Sequence, residues 1–313
     1  MRIVVIMDPV QTVLVDEDTS FALMLEAQNR SHHVDHCLLS DLYIDGGQAY
    51  ARVRKATMAR DSLKPIVLGE AEDVALADVD AILVRTDPPF DEMYLWGTQV
   101  LELVRGRTLV VNDPRALRDA NEKLYACHFP ELMPDTLVSN DKARIRVFLE
   151  RMGGQAVIKP LSGAGGAGVM ALTKGDMNVN AIIEATTLNG KRFAMTQRFL
   201  PEVRTGDKRI LVLDGEPLGG ILRVPRADDV RSNIHVGGSV HKTTLDASDL
   251  KIVEAVAPRL KKDGLYFVGL DVIGGKLTEV NVTSPTGIQQ MARLDGLNLS
   301  ARVIEWVEKR VNA

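Results

Sequence analysis

The N-terminal part of the chain alternates short apolar runs with segments that carry apolar residues at helical spacing. Residues 2–7 form an essentially continuous apolar run, which predicts a strand buried on both faces of a parallel sheet. Further strands are predicted near 34–39, 80–84 and 108–111, with helices near 18–30 and 91–104. This alternation indicates an α/β domain with a mostly parallel sheet. Residues 45–75 are polar and show no clear period, so we interpret them as an excursion or a mobile loop.

The rest of the chain has a different pattern, in which hairpins become prominent. From residue 135 to residue 200, strand-like segments and two helices near 141–152 and 179–188 predict a small α+β unit. Asp214-Gly215 lies between two β-rich runs and predicts a hairpin turn. A helix near 247–262, a second hairpin at 266–282 and an amphipathic helix at 299–311 complete the predicted elements.

Composition narrows the class of protein. The chain has 313 residues, 45% hydrophobic and 26% charged, which predicts a globular protein of two or three domains. The net charge of −4 argues against a broad nucleic-acid surface but permits a local basic pocket for phosphates. Two cysteines cannot form a disulfide framework, and the N-terminal apolar run is too short for a signal peptide or a membrane span. We therefore expect a cytoplasmic protein with no membrane contact.

The glycine run "IKPLSGAGGAGV" at residues 158–169 contains the GxGxxG spacing of dinucleotide-binding proteins. That motif requires a helix after the glycines and an acidic residue about twenty positions on. Here "GVMALTKGD" follows, which is β-rich, and the acid is missing, so an NAD-dependent dehydrogenase is disfavoured. A strand on each side instead predicts a β-hairpin flap whose backbone N–H groups cover phosphates, with Lys159 at its root. The alternative is a surface hairpin that is merely rich in small residues.

The hairpin "GLDVIGGKLTEVNV" at residues 269–282 presents a candidate metal site. Glu279 and Asn281 are two positions apart on one strand and share a face. A two-residue turn would pair Asp271 with Thr278, whereas a three-residue turn over 274–276 pairs Asp271 with Glu279 and adds it to that face. Two carboxylates and an amide are hard oxygen donors suited to Mg²⁺. The alternative is a polar strand facing solvent.

Several basic residues fit the same chemistry. Lys123, in a predicted helix, and Lys159 precede the flap, and Arg231 and Asn233 lie in a later loop. Lys208, Arg209 and Arg223 belong to the first hairpin. Separated cations that converge with Mg²⁺ are the usual means of holding a triphosphate. The segment "FLPE" at 199–202 could form a hinge whose backbone reads an adenine edge.

Together these motifs resemble those of ATP-grasp carboxylate–amine ligases and, more narrowly, bacterial-type glutathione synthetases. The resemblance covers essentially the whole chain. It rests on the flap and on "IMDP" (6–9), "RTDPPFD" (85–91), "NDPRALRDANEKL" (112–124), "GDKRILVLDGEP" (206–217) and "GLDVIGGKLTEVNVTSPTGI" (269–288). Ala164 and Ala167 depart from the family pattern, in which many relatives carry larger or polar residues in the flap.

The resemblance implies an N-terminal α/β substrate-binding domain with a parallel sheet (1–121), a small ATP-grasp lid (122–200) and a C-terminal ATP-grasp domain (201–313). It implies metal binding by Asp271, Glu279 and Asn281, and catalytic roles for Arg209 and Arg223. The implied ATP-binding residues are Lys123, Lys159, Ser162, Gly163, Gly165, Gly166, Gly168, Gln197, Phe199, Leu200, Lys208 and Arg209. The implied substrate-binding residues are Asp8, Arg85, Asp87, Arg231, Asn233, Ser284, Pro285, Thr286 and Gly287.

The implied reaction joins γ-glutamylcysteine to glycine at the expense of ATP, through an acyl phosphate, with Mg²⁺ or, as a substitute, Mn²⁺. The resemblance also implies a homo-oligomer, most often a tetramer. Two alternatives remain: another ATP-grasp ligase, such as a dipeptide ligase or a glutamate-adding enzyme, and a non-catalytic ATP-binding regulatory module. A different ligase has no reason to keep "RTDPPFD", and a regulatory module predicts gaps in the metal set that the sequence does not have.

Overall fold

A computed structural model describes residues 1–226 and 237–313. A seven-stranded sheet is built from the N-terminal segment, with strands in the order β3-β4-β2-β1-β6-β7 and with β5 paired to β4. Its strands are β1 (Arg2–Ile6), β2 (His33–Cys37), β3 (Leu42–Asp45), β4 (Gln48–Met58), β5 (Ile66–Ala75), β6 (Ala81–Val84) and β7 (Leu109–Val111). The pairs β2/β1, β1/β6 and β6/β7 are parallel, as predicted, whereas β3, β4 and β5 pair antiparallel.

The prediction of an excursion or mobile loop at 45–75 is wrong. These residues form the long hairpin of β4 and β5, which extends the sheet beyond β2. The inward positions of β4 include Ala49, Ala51 and Ala56, so the strand buries small side chains. Alternation with alanine gives a weak apolar signal, which explains why the sequence pattern did not reveal the strand.

Two antiparallel sheets form the remainder of the structure. A four-stranded sheet has the order β10-β9-β11-β8, and a five-stranded sheet has the order β14-β13-β12-β15-β16. The strands are β8 (Thr136–Ser139), β9 (Gln155–Pro160), β10 (Met170–Thr173), β11 (Ala194–Arg198), β12 (Asp207–Leu213), β13 (Glu216–Val224), β14 (Ser239–Lys242), β15 (Phe267–Ile273) and β16 (Lys276–Asn281). Asp214 and Gly215 form the predicted turn between β12 and β13, both with positive φ.

Helices cover these sheets and close the core. They are α1 (Thr19–Asn29), α2 (Glu92–Glu102), α3 (Pro114–Asp119), α4 (Lys142–Arg151), α5 (Val179–Thr187), α6 (Ala247–Asp263), α7 (Ile288–Asp295) and α8 (Leu299–Val311). Alternate residues of β1 enter two hydrophobic clusters, because Ile3 packs with α1 and α8 while Val4 packs with α2 and α3. In the described ranges no helix is long and apolar enough to span a bilayer.

An ion pair joins the first and last helices and predicts a pH dependence of stability. Arg30 donates to both carboxylate oxygens of Glu308, at 3.0 and 2.6 Å, and His32 Nε2 lies 2.7 Å from the same carboxylate. The Arg30 hydrogen bonds, followed by His32, lower the pKa of Glu308 from 4.5 to about 2. A depressed pKa contributes stability that is present above pH 4.5 and is lost as the pH falls towards about 2.

We therefore expect the melting temperature of wild type to exceed that of Glu308→Gln at neutral pH. The difference should shrink as the pH is lowered from about 5 to about 2. Paired thermal melts of the two proteins across this range check the expectation. A difference that stays constant with pH would show that Glu308 acts only through packing.

Candidate functional site

Two clefts meet between the three sheets. The first cleft is lined by the glycine run, by Lys123 and Lys159, and by residues 197–200. The second cleft lies towards the seven-stranded sheet and is lined by Asp8, Arg85 and Arg223 among others. Ala164, Gly165, Asp271 and Glu279 line both clefts. These four residues mark the place where a group bound in one cleft would contact a group bound in the other.

The glycine run forms a flap between two antiparallel strands, as predicted. β9 leads into it and β10 leads out, with Ile158 opposite Met170. Gly165, Gly166 and Gly168 have φ values of 60°, 82° and 73°, in the left-handed region that favours glycine. The absence of a helix after the glycines excludes the dinucleotide-binding turn at this position, since that turn opens a helix.

Asp271 and Glu279 face each other across the β15/β16 hairpin. The turn between the two strands, however, is not the three-residue turn over 274–276 that this pairing was expected to need. Ile273 pairs with Lys276, so the turn has two residues, Gly274 and Gly275. A β-bulge then shifts the register between Asp271 and Val272, which restores the pairing of Asp271 with Glu279. Thr278 occupies the extra position, and its hydroxyl donates to the Asp271 carbonyl at 3.1 Å. The predicted pairing is confirmed, but the bulge produces it.

Asn281 extends the same face by one more pair. It lies opposite Gly269, and its side-chain nitrogen donates to the Gly269 carbonyl at 3.2 Å. Its amide oxygen therefore remains as the possible ligand atom. Asp271, Glu279 and Asn281 all line the second cleft, and the set of two carboxylates and one amide oxygen fits a hard divalent cation.

Asp271 is the centre of a buried charge cluster. Arg209 Nε donates to its Oδ1 at 2.5 Å, Arg209 Nη2 contacts Oδ2 at 3.1 Å, and Arg223 Nη2 lies 3.0 Å from Oδ1. Arg223 also donates to Asp207 Oδ2 at 2.6 Å, across the β12/β13 pair. Burial alone would raise the pKa of Asp271, but the two guanidinium groups outweigh it and hold that pKa well below its usual range.

Two lysines flank these carboxylates. Lys123 Nζ lies 2.8 Å from Glu279 Oε1 and also donates to the Gly163 carbonyl in the flap. Burial lowers the pKa of Lys159, and the nearby Glu279 carboxylate opposes that shift. The prediction that Lys123 lies in a helix is wrong, because the residue lies in a turn. The side chain of Asn121 accepts from the backbone N–H groups of Lys123 and Leu124, and it shapes a turn there.

Other predicted residues fall into two groups. Gln197, Phe199 and Leu200 line the first cleft, and Gln197 Nε2 donates to Thr136 Oγ1 at 3.1 Å. Lys208 is not brought to either cleft. It is adjacent to Arg209 on β12 and so faces the other side of the sheet, where its ammonium pairs with Asp246 and Asp249.

Some of the predicted flap and loop residues line a cleft and others do not. Ser162 and Gly168 do not line the first cleft, and a Cβ at Gly168 would come within 2.8 Å of Pro160. Ser284 and Thr286 line the second cleft, whereas Pro285 and Gly287 do not. Gly287 is the N-cap residue of α7. Arg231 and Asn233 lie outside the described residues.

Segments that follow strands of the N-terminal sheet bring both acidic and basic side chains to the second cleft. Asp8 Oδ2 accepts from the Asp87 backbone N–H at 2.8 Å, which joins the ends of β1 and β6. Arg85 is buried, and it donates to Ser20 Oγ at 3.2 Å and to the Pro285 carbonyl at 2.9 Å. Arg85 therefore connects the N-terminal sheet to the loop after β16 as well as lining the cleft.

Glu122 lines the second cleft and was not identified from the sequence. Its Oε1 accepts from Val282 N, Thr283 N and Thr283 Oγ1. Burial, followed by the negative charge of Glu279, raises the pKa of Glu122. Its position beside Lys123 in "NEKL" was the available signal, but its partners lie more than 150 residues further along the chain.

Comparisons with known proteins identify the family. The family model of the prokaryotic glutathione synthetase ATP-grasp domain matches residues 122–296. The family model of the prokaryotic glutathione synthetase N-terminal domain matches residues 1–118. The chain belongs to the prokaryotic glutathione synthetase family. It is therefore an ATP-dependent ligase, and its function is the synthesis of glutathione.

Relatives and solved structures agree with this family. The glutathione synthetase of Gloeobacter violaceus is 49% identical over 314 residues, covering 98% of this chain and 96% of the relative. That of Synechocystis sp. is 43% identical and covers 99% of this chain and 100% of the relative. The D-cycloserine synthetase DcsG superposes with a TM-score of 0.68 at 16% identity over 98% of this chain and 99% of its own. The peptide-bound ATP-grasp ligase PsnB, at 14% identity, covers 100% of this chain and 98% of its own, with a TM-score of 0.63. At these identities the two structures show the fold, which is that of ATP-grasp enzymes.

Proposed function

We propose that this glutathione synthetase joins γ-glutamylcysteine to glycine through an acyl phosphate, with ATP in the first cleft and the peptide substrate in the second. The observation that carries this proposal is the shared lining of the two clefts by Ala164, Gly165, Asp271 and Glu279. A terminal phosphate and a substrate carboxylate would meet at these residues, under the flap and beside the candidate metal ligands.

The first cleft offers groups for the phosphates and for the base of a nucleotide. Lys123, Lys159 and the backbone N–H groups of the flap would hold phosphates, while Phe199 and Leu200 would pack on the base. Asp271, Glu279 and Asn281 would hold Mg²⁺, or Mn²⁺ in its place. When bound, the ion would neutralise charge on the phosphate oxygens and polarise them.

A carboxylate reacts poorly with amines, and in the proposed chemistry it is first activated by phosphorylation. A carboxylate oxygen of the cysteinyl residue attacks the γ-phosphorus of ATP, the bond to the bridging oxygen breaks, and ADP leaves. The neutral amine of glycine then attacks the acyl carbon, phosphate leaves with the former carboxylate oxygen, and the proton lost by the nitrogen leaves with the phosphate. Arg209 and Arg223 would stabilise the negative charge that develops, because a guanidinium has five N–H donors and only some are used by Asp271 and Asp207.

The second cleft suits a substrate that carries both charges. The γ-glutamyl end has an ammonium and a carboxylate, and Asp8, Asp87 and Arg85 supply the opposite charges. Ser284 and Thr286 offer hydroxyls for a second carboxylate.

The division into units of 1–121, 122–200 and 201–313 is supported by the three separate sheets. A homo-oligomer, most simply a tetramer, is also proposed, and it is supported by the exposed apolar side chains of Met93, Trp96 and Leu103 on and after α2.

Phosphate release from Mg-ATP tests the proposed substrates. We expect sustained release only when γ-glutamylcysteine and glycine are both present, and a large loss when either is omitted. D-alanine replaces both substrates in a parallel reaction as the control for dipeptide ligation. Turnover with D-alanine alone, or no turnover with the thiol peptide and glycine, would overturn the substrate assignment.

Oxygen labelling tests the acyl phosphate separately. γ-Glutamylcysteine labelled with ¹⁸O in the cysteinyl carboxylate should transfer one labelled oxygen to each phosphate released. Mass spectrometry of the phosphate measures the transfer. Unlabelled phosphate with normal glutathione formation would exclude the acyl phosphate while leaving the overall reaction intact.

A further inference from the structure

Three consecutive residues, Asn121, Glu122 and Lys123, contact the flap on one side and the end of β16 on the other. We call them the 121–123 turn. On the flap side, Asn121 Nδ2 donates to the Leu161 carbonyl at 3.0 Å, and Lys123 Nζ donates to the Gly163 carbonyl. Two carbonyl groups at the start of the flap are thus bonded to the same short segment.

The other side of the 121–123 turn is bonded to the strand that carries the candidate metal ligands Glu279 and Asn281. The Glu122 carbonyl accepts from Val280 N at 2.9 Å, between Glu279 and Asn281. The Glu122 side chain accepts from the backbone N–H groups of Val282 at 2.9 Å and Thr283 at 3.2 Å. Backbone and side chain together fix the turn against the end of β16.

The flap has few constraints of its own. Its internal hydrogen bonds are short-range, such as Ala167 N to the Ala164 carbonyl at 2.9 Å and Val169 N to the Gly166 carbonyl at 3.3 Å. A glycine-rich segment loses much conformational entropy when it is ordered, so bonds from outside the flap have a large influence on its position. The hydrogen bonds that Asn121 and Lys123 donate to the Leu161 and Gly163 carbonyls are two such bonds.

We infer that the 121–123 turn fixes the flap over the Asp271–Glu279 pair, and that Asn121 is a positioning residue for the reaction. Asn121 does not line either cleft, so it acts through Leu161 rather than through a ligand. Its Oδ1 accepts from Lys123 N at 3.2 Å and Leu124 N at 3.1 Å, so the same side chain orients Lys123. The catalytic consequence rests on the proposed function, in which the flap protects an acyl phosphate from water.

The variant Asn121→Asp separates the two roles of the side chain. It keeps a side-chain oxygen that can accept from Lys123 N and Leu124 N, but it replaces the donor to Leu161 with an acceptor. We expect faster hydrogen–deuterium exchange of flap amides 163–169 in the unliganded protein. We also expect KM for ATP to rise about 3- to 10-fold, the effect of one lost hydrogen bond, with a smaller change in kcat. The ratio of phosphate released to glutathione formed should rise above one, because water reaches the acyl phosphate.

Two further variants control for charge and for general effects. Asn121→Ser is neutral, keeps a short acceptor for the turn and has too short a side chain to reach Leu161, so it should reproduce the changes. Asn140→Asp is the matched control, since Asn140 Nδ2 donates to the Gly190 carbonyl at 2.7 Å, a bond that does not involve the flap. It should leave flap exchange, KM for ATP and the phosphate ratio at wild-type values.

The exchange experiment needs no substrate, so it stands apart from the proposed reaction. Wild-type flap exchange in both Asn121 variants would overturn the inference whatever the enzyme makes. Faster exchange with a phosphate ratio of one would also overturn it, since the flap position would then not matter to the reaction. Equal changes in Asn140→Asp would assign the effect to general loosening. Failure of wild type to consume γ-glutamylcysteine would instead contradict the proposed substrates.

Discussion

Asp271→Asn should nearly abolish turnover and also weaken the fold. Asp271 is almost fully buried, and its carboxylate faces the guanidinium groups of Arg209 and Arg223. Removal of its charge leaves two buried cations with one fewer counter-charge, which typically costs about 3–5 kcal/mol of unfolding free energy. The two arginines would also lose their fixed orientation, and the candidate metal site would have a neutral amide oxygen in place of a carboxylate. We expect kcat to fall by at least about 100-fold.

A matched variant separates stability from catalysis. Asp249 is also buried and also pairs with a cation on β12, but that cation is Lys208, on the face away from the clefts. Asp249→Asn should therefore lower the melting temperature while kcat stays within about twofold of wild type. Denaturant unfolding and steady-state kinetics of both variants make the comparison. Wild-type kcat in Asp271→Asn, or an equal loss of kcat in Asp249→Asn, would contradict the proposed role of the cluster.

Glu279→Gln should lose most turnover and also some stability. The side chain is partly exposed, at 21%, and an isosteric amide keeps its packing, but the buried Lys123 loses its counter-charge. The loss of charge replaces a candidate carboxylate ligand by a neutral and weaker amide oxygen, and it removes the counter-charge of Lys123. We expect the Mg²⁺ concentration for half-maximal rate to rise and kcat to fall by about 100-fold or more.

Glu216→Gln provides the control for Glu279→Gln. Glu216 lies on β13 of the same sheet, is 76% exposed, and has only a loose contact of 3.8 Å to Lys261. Mg²⁺ titrations of the rate, together with thermal melts, should show no change in this variant. Glu279→Gln with wild-type activity at limiting Mg²⁺ would remove Glu279 from the metal site.

Local patterns predicted the elements of this fold better than their pairing. The apolar run of β1, the Asp214-Gly215 turn and the strands around the flap follow from residues close in sequence. The bulge at Thr278 does not, because it depends on how β15 and β16 are held by their neighbours. The β4 strand was missed for a related reason, since its buried alanines resemble a polar loop until the sheet beside them is known.

The candidate site shows the same division. The residue types at Lys159, Asp271 and Glu279 indicate phosphate and metal chemistry from the sequence alone. Lys208 and Arg209 are neighbours with the same charge, and only the strand geometry shows that one faces the cleft and the other does not. Asn121 and Glu122 have ordinary side chains whose importance comes from backbone groups of the flap and of β16.

The shared lining of the two clefts has a thermodynamic consequence. Ala164 and Gly165 belong to the flap, so any movement of the flap onto one ligand changes the wall that the other ligand meets. If nucleotide binding strengthens the binding of the peptide substrate by some factor, then the peptide must strengthen nucleotide binding by the same factor. Under given conditions, the free energy that couples the two ligands is therefore the same whichever of them binds first.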